Sequence, residues 1–340
     1  MFGYIKPQRS KLKFKLDAMI RCLLPVACCL AATAASAQDK PEAFPSREVR
    51  FVCAFPAGSG ADVYVRYFAE KMRPHLKQTV IVENRAGANG NIATEYTARA
   101  KPDGYTVYVH APSALAANMH LFAKPPVDIR TTLQVVTVLN QQPFMLTVAV
   151  GSPAKTMAEL VEVVKAKGDK ASYATTAPTG KIAAFLFNEH FGLKAVEVAY
   201  RTGPDSLNDM ASGRIDFAMH DPVLAVAQTN AGKLRMLGVT TKERSKALPA
   251  LPSLYEQGVK SLDVPGWWAA MVPAGTPKPI VDRLNKMFVD VVESEETRKF
   301  FAQFGADAMT STPEAGQKRM IEDVDNWGRN IEKAKIPKQG

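Results

Sequence analysis

A glycine-rich turn between an apolar run and an amphipathic stretch is the segment of this 340-residue sequence best suited to binding chemistry. The turn covers residues 55–62 and contains Gly58 and Gly60. When a buried strand passes through such a turn into a helix, backbone N–H groups at the helix start point outward. Their partial positive charge attracts a carboxylate or a phosphate. The pattern therefore predicts an anion-binding loop.

A dinucleotide site is one alternative for the same segment. Gly58 and Gly60 match the first two glycines of the G-x-G-x-x-G fingerprint, and Glu83 ends the next predicted strand, where a ribose-binding acid is expected. Val63, however, occupies the position that requires glycine or alanine. Because the fingerprint is incomplete, a nicotinamide-dependent oxidoreductase is the third and most distant hypothesis.

A nucleophilic site is another alternative. A nucleophile elbow around Ser59 would need glycine at Ala57 and at Ala61, and the segment also lacks the G-K-[ST] ending of a Walker loop. Ser59 and His220 could be the nucleophile and the base of a hydrolase, but Ser59 has no nucleophile elbow and no third residue of a catalytic triad is identified. A secreted hydrolase or isomerase is therefore the second hypothesis, and a purely structural turn stays open.

The five histidines of the sequence do not suggest a metal site. None of them stands in HxxxH or HxxE spacing with another ligand. His110 and His220 both end predicted strands, where each can either line a pocket or support its wall. The sequence therefore predicts neither a metal nor a cofactor.

Apolar strands alternate with amphipathic helical stretches from residue 49 onward, which is typical of an α/β protein. In the first helical stretch Tyr64, Phe68 and Met72 share one face, as a core-facing helix requires. Two tail helices are predicted to begin at Pro277 and Pro313, because proline is favoured in a first helical turn. The predicted strands cover residues 49–55, 79–83, 105–110, 144–150, 172–174, 196–200, 215–219, 234–240 and 267–272.

The length and the order of these elements predict two lobes. A chain of 340 residues exceeds one ordinary domain and suits two. Two similar α/β series follow one another, and the tail helices need a core to pack on, which the first series provides. The predicted boundaries put residues 38–142 and 248–340 in lobe 1 and residues 143–247 in lobe 2.

Residues 1–37 have the pattern of a cleavable export signal. They carry six basic side chains and one acidic side chain, an apolar stretch over residues 23–35, and the triplet Ala35-Ser36-Ala37. The apolar stretch is shorter than the roughly 20 residues of a membrane-spanning helix. We therefore predict cleavage after Ala37 and a periplasmic location, with an uncleaved anchor as the alternative. An equally good signal would begin at Met19.

Removing the signal changes the charge and the cysteine count. The net charge falls from +10 to about +5, which excludes nucleic acid as a natural partner. Three of the four cysteines leave with the signal, so Cys53 cannot form an internal disulfide, a redox pair or a zinc cluster. The hydrophobic fraction of 46% excludes a mostly disordered chain.

Short motifs recur in order along the predicted mature chain. They are F-P-x-G-x-G-x-D at residues 55–62, V-E-N-R-x-G-A-x-G-N-I at 82–92, P-D-G-Y-T at 102–106, A-G-K-L-R at 231–235, L-P at 248–249 and P-A-G-T-P at 273–277. In this combination the sequence resembles the Bug-type receptors, which are the extracytoplasmic substrate-binding proteins of tripartite tricarboxylate transporters. The motifs cover essentially the whole mature chain.

The resemblance implies a fold and a function. The expected fold is α/β, a two-lobe periplasmic-binding-protein fold of type II-like architecture. Each lobe would be a mainly parallel sheet flanked by helices, with the cleft between the lobes. The expected function is a periplasmic receptor, not an enzyme, that captures a small carboxylate by hinge closure and delivers it to integral membrane subunits. We expect the receptor itself to be a monomer.

The resemblance also implies the residues that line the cleft. Asp62 among them is expected to be structural, because an acid in the first turn of a helix usually caps N–H groups. Arg201 is the only formal cation in the loops that match well, and it suits bidentate carboxylate binding. The implied lining is Phe55, Ala57, Gly58, Ser59, Asp62, Ala111, Pro112, Ser113, Thr175, Thr176, Thr179, Gly180, Tyr200, Arg201, Gly203, His220 and Asp221.

Two loops depart from the pattern of the family. Lys181 stands where the family usually has a histidine, and His220 stands where the family commonly has an acid, with Asp221 one position later. A lost acid and a nearby lysine make a pocket less suited to an ammonium group. We therefore expect an organic acid as the solute, a di- or tricarboxylate or an aromatic acid, rather than an amino acid.

Overall fold

The computed structural model describes residue 3 and residues 44–200, 203–333 and 336–338. The predicted export signal lies outside these residues except for Gly3. The described residues from 44 onward belong to one compact unit.

The described strands form two sheets. The strands are β1 (Val49–Cys53), β2 (Val80–Asn84), β3 (Thr106–His110), β4 (Leu133–Gln142), β5 (Met145–Ala149), β6 (Ser172–Thr175), β7 (Val196–Ala199), β8 (Phe217–His220), β9 (Leu234–Val239), β10 (Gly266–Pro273) and β11 (Asp307–Ala308). The first sheet has the order β11-β4-β10-β3-β1-β2, and the second has the order β7-β6-β8-β5-β9.

Helices flank both sheets, which confirms the predicted α/β class. Proline stands in the first turn of several of them, and the side chain of Thr156 caps another by accepting the N–H of Glu159. The helices are α1 (Gly60–Leu76), α2 (Asn91–Ala98), α3 (Pro112–Leu121), α4 (Ile129–Thr132), α5 (Met157–Lys167), α6 (Pro178–Phe191), α7 (Gly203–Ala211), α8 (Pro222–Asn230), α9 (Lys278–Glu293), α10 (Glu295–Ala302) and α11 (Pro313–Lys333).

Both sheets are mixed, which corrects the prediction of mainly parallel sheets. In the first sheet β1 pairs in parallel with β2 and β3, but β10 is antiparallel to β3 and β4. In the second sheet β6 is parallel to β7 and β8, but β5 is antiparallel to β8 and β9. Every antiparallel pair contains β4, β5 or β10, and the chain passes between the sheets at β4–β5 and at β9–β10. The direction of these strands is set by the passage of the chain between the sheets rather than by a local βαβ unit.

Strand β4 was not predicted from the sequence. It is ten residues long and almost wholly buried, so it lacks the apolar–polar alternation of a half-exposed strand. The last helix, α11, packs on β4 and on α3, so the tail of the chain covers the first sheet. On the other face of this sheet Phe51, Phe68 and Phe288 pack together in the core.

Candidate functional site

The glycine turn links the buried strand β1 to helix α1, as the sequence predicted. Gly58 has a φ of +80°, which only glycine adopts without strain. Ser59 is the N-cap, and its hydroxyl oxygen accepts the N–H of Asp62 at 3.2 Å. Ala57 and Gly58 are exposed, whereas Phe55 and Ser59 are half-buried. The turn therefore presents its backbone at the surface while its ends are held by the helix and the strand.

Asp62 holds the turn in place. Its side chain is 1% exposed. One carboxylate oxygen accepts the N–H of Gly58 at 2.8 Å and the Nε of Arg66 at 2.7 Å, and the other accepts Nδ2 of Asn84 at 2.7 Å. Burial works against the charged form, but the hydrogen bonds from Arg66, Asn84 and Gly58 outweigh it and hold the pKa of Asp62 below its usual value. All these partners are protein groups, so Asp62 shapes the loop rather than contacting a solute.

The start of α1 keeps donors available for an anion. The first N–H groups of a helix have no partner within the helix. Among the described residues no acceptor is recorded for the N–H of Gly60 or Ala61, whereas that of Asp62 is capped by Ser59. Free N–H groups at the positive end of a helix dipole are donors of the kind that bind carboxylates.

The β3–α3 connection forms the neighbouring wall of the first sheet. Ala111 is the N-cap residue of α3, Pro112 occupies its first turn, and Ser113 is buried. His110, the last residue of β3, is 1% exposed and touches the rings of Phe55 and Trp268 at centroid distances of 5.1 and 5.9 Å. Burial lowers the pKa of His110 to about 3, so its imidazole is neutral.

The β6–α6 loop lies on the second sheet. The hydroxyl of Thr175 donates to Glu197 at 2.7 Å, and Lys181 forms an ion pair with the same carboxylate at 2.9 Å. The charge of Lys181 is therefore balanced by Glu197, so Lys181 does not by itself make the pocket less suited to an ammonium group, contrary to the expectation. Thr176 is half-buried and Thr179 is buried.

Two glycines of the second sheet permit close packing. A Cβ atom on Gly180 would collide with the backbone oxygen of Met219 in β8, and one on Gly203 would collide with the side chain of Leu224. These contacts show that both glycines bring the loops close to α8 and β8. Their predicted place beside the solute stays a prediction.

The β7–α7 connection carries the predicted cation. Tyr200 donates its hydroxyl to Asp209 at 2.6 Å, and burial together with this hydrogen bond raises the pKa of Tyr200 to about 12. Arg201 and Thr202 lie outside the described residues.

His220 is a support of the site, not part of its lining. Its side chain is 0% exposed, and its ring nitrogens contact the hydroxyls of Thr147 at 2.9 Å and Ser206 at 3.0 Å. Burial lowers the pKa of His220 to about 4. Because both nitrogens are used and no surface is exposed, the predicted solute contact at His220 is corrected. The neighbouring Asp221 caps α8 by accepting the N–H of Leu224 at 3.1 Å, and burial raises the pKa of Asp221.

Loops of the two sheets face each other. A Cβ atom on Gly60 would lie 3.6 Å from the Cγ1 atom of Val223, which places the start of α1 against the start of α8. Helices α3 and α6 also pack against each other. The structure thus brings together the carboxyl ends of strands from both sheets, the position at which open α/β sheets bind ligands.

Sequence reasoning missed the residues that hold these loops. Asn84 donates to Asp62 and to the backbone oxygen of Phe55 at 3.0 Å, and Glu197 joins Thr175 to Lys181. The E-N-R motif at residues 83–85 contains Asn84, but nothing in the local pattern states its partner.

Within the described ranges, no group of three or more metal-ligating side chains occurs. A long apolar helix able to cross a membrane is also absent from that part of the chain.

The sequence matches a family model and a known protein over most of its length. The family model described as "Tripartite tricarboxylate transporter family receptor" matches residues 64–336. A UPF0065 protein of Bordetella bronchiseptica is 32% identical over 288 residues, which is 84% of each chain.

Three solved structures are similar to this chain in both fold and sequence. The periplasmic binding protein BugD is 30% identical with a TM-score of 0.76, over 87% of this chain and all of that one. Rpa4515 of R. palustris, solved with adipate, is 28% identical with a TM-score of 0.80, over 87% and 100%. MatC of Rhodopseudomonas palustris, solved with bound malate, is 25% identical with a TM-score of 0.74, over 85% and 100%.

Proposed function

Because the chain belongs to the tripartite tricarboxylate transporter receptor family, we propose that it captures a small organic acid between its two sheets. The observation that carries the proposal is the start of α1, where the N–H groups of Gly60 and Ala61 have no protein acceptor among the described residues and Gly60 lies close to Val223 of α8. Adipate and malate in the related structures have the carboxylate chemistry that such a site binds.

The remaining cleft residues complete the proposed site. Exposed backbone of Ala57 and Gly58 would contact one end of the acid, and the α3 and α6 starts would contact its flanks. Arg201 would pair with a carboxylate from the second sheet, because its guanidinium can donate two parallel hydrogen bonds. The two lobes would be residues 38–142 with 248–340 and residues 143–247, a division supported by the passage of the chain between sheets at β4–β5 and β9–β10.

Binding would work by hinge closure. Contacts from both lobes to one solute exist together only in the closed arrangement, so the solute shifts the population toward it. The closed receptor would then be recognised by integral membrane subunits of a tripartite transporter, as the family name implies.

The geometry disfavours both enzyme alternatives. The hydroxyl of Ser59 accepts a capping N–H, and the ring nitrogens of His220 contact Thr147 and Ser206, so the two do not form a nucleophile–base pair. The carboxylate of Glu83 pairs with Arg85 at 2.5 Å, so the ribose-binding position of a dinucleotide site is occupied. A receptor without chemistry is therefore the proposed role.

A thermal-shift screen tests the proposal directly. Adipate, malate, succinate, benzoate, glutamate and NAD would each be added to the purified mature chain, followed by isothermal titration of the acids that shift its melting. A ligand at about 100 times its Kd should stabilise the fold by about 2.7 kcal/mol. Stabilisation by NAD but by no organic acid would refute the receptor role, and binding of glutamate alone would refute the choice of solute.

Arg201→Gln tests the proposed carboxylate contact. We expect at least a tenfold weaker Kd for the best acid of the screen. Arg99→Gln is the matched control, because Arg99 carries the same charge in an exposed ion pair with Glu95 of α2. Equal affinities of the two variants would remove Arg201 from the site.

Export and assembly are tested separately. N-terminal sequencing of the periplasmic fraction should show Gln38 as the first residue, and light scattering should show a monomer. A mature chain that keeps residues 1–37, or a stable dimer, would contradict these two proposals without touching the binding site.

A further inference from the structure

His110 is the buried polar side chain in the site that the protein leaves without partners. Both of its ring nitrogens are buried and neither has a hydrogen-bond partner among the described residues. His220 in the opposite sheet ends a strand in the same way, but hydroxyls occupy both of its nitrogens. A buried polar group without a partner costs free energy, so the contrast calls for a reason at His110.

The surroundings of His110 are fixed on three sides. Tyr108 stacks on it at 5.1 Å from the same strand, and Trp268 of the adjacent strand β10 lies at 5.9 Å. On the third side a Cβ atom on Gly90 would lie only 2.9 Å from Nε2 of His110, so backbone closes that direction. Tyr108 and Trp268 are buried and belong to the sheet, so neither ring can move aside without disturbing it.

The fourth side faces the glycine turn. Phe55 packs edge-on against the imidazole at 5.1 Å, is half-buried, and belongs to the loop rather than to a strand. Of the rings packed on His110, it is the one that is neither fully buried nor part of a strand. Phe55 also begins the glycine turn that leads into the start of α1.

We infer that His110 is a solute-binding residue: an oxygen of the bound acid displaces the Phe55 ring and makes a hydrogen bond with the neutral imidazole. The inference rests on the proposed function and adds a specificity contact to it. In the empty receptor the unpaired imidazole nitrogen destabilises the fold, and the hydrogen bond to the acid would remove that cost and so strengthen binding. A neutral imidazole also suits this role, since it offers one N–H donor and one acceptor nitrogen without a fixed charge.

His110→Phe tests the inference, with His75→Phe as the matched control because His75 is exposed on α1. Titration of wild type and both variants with adipate, malate and succinate should show at least tenfold weaker binding for His110→Phe alone. A Kd within twofold of wild type would overturn the inference.

Nitrogen NMR of the histidine rings provides a readout that a structural role would not move. In the ¹⁵N-labelled chain, the His110 signals should shift on saturation with the best-bound acid while the His220 signals stay in place. Unmoved His110 signals would overturn the inference even if affinity falls. If wild type binds none of the three acids, the proposed function fails as well. Binding by wild type with full affinity in His110→Phe refutes only the role of His110.

Discussion

Asp62→Asn should loosen the glycine turn and destabilise the protein. The substitution keeps the size of the side chain and replaces one carboxylate oxygen by an NH₂ group, which cannot accept. In the wild type, one oxygen accepts from Gly58 and Arg66 and the other accepts from Asn84. In either orientation, therefore, the new NH₂ group meets at least one donor.

A flip of the Asn84 amide does not rescue the network. Its Nδ2 also donates to the backbone oxygen of Phe55 at 3.0 Å, and its Oδ1 accepts from Arg66 at 3.1 Å. Flipping would break both bonds to repair one. A hydrogen bond to a charged group contributes about 1.5–3 kcal/mol, and an unsatisfied buried donor costs about 1–3 kcal/mol. The hydrogen bond from Arg66 contributes at the low end of the first range, because its half-exposed guanidinium is screened by solvent. We expect a loss of about 2–4 kcal/mol in the free energy of unfolding.

Urea denaturation at pH 7 measures this loss, and Asp128→Asn is the matched control. Asp128 also caps a helix and accepts from Arg130 at 2.9 Å, but it lies at the surface. The control should lose less than about 1 kcal/mol. Should Asp62→Asn lose no more than Asp128→Asn, the network does not hold the turn and the reasoning is wrong.

The pH dependence gives a second check on Asp62. Its folded pKa lies below its unfolded pKa of about 3.9, so its stabilising contribution is complete above the unfolded value. The contribution is lost as the pH falls through the folded pKa. The difference between wild type and Asp62→Asn should therefore be constant from pH 7 to about pH 5 and shrink below about pH 4. A difference that grows toward acid would contradict the assignment.

Two further substitutions test the packing of the second sheet. Gly180→Ala should lower the free energy of unfolding by about 1–3 kcal/mol in urea, because the added Cβ meets backbone, whereas Gly151→Ala has open space around it and should change little. His220→Phe should cost about 1–3 kcal/mol, because the hydroxyls of Thr147 and Ser206 lose their hydrogen bonds with the imidazole and keep only those to backbone carbonyls. The wild type should also lose stability as the pH falls from about 6.5 to about 4, since the unfolded chain binds a proton there that folded His220 does not. His220→Phe should remove its share of that slope, and an unchanged slope would count against the buried neutral form.

The local pattern was sufficient for the fold class and for the glycine turn. Alternation of apolar strands and amphipathic helices depends on neighbouring residues, and so do a capping threonine and a glycine with positive φ at Gly58. Strand β4 was not predicted because both of its faces are buried, so its sequence lacks the alternation of apolar and polar residues. The mixed strand directions were not predicted because they depend on the path of the chain between the sheets, and hydrophobic periodicity carries no information about that path.

The site divides in the same way. The sequence predicted the glycine turn and proposed it as an anion-binding loop, and its motifs indicated the family. His110 and His220 show the limit of this information, because each simply ends an apolar strand. Their difference comes from partners distant in sequence: His220 meets Thr147, 73 residues away, whereas His110 is enclosed by aromatic rings and backbone. Which buried nitrogen finds a partner depends on which strands and helices pack together, and that arrangement exists only in the folded chain.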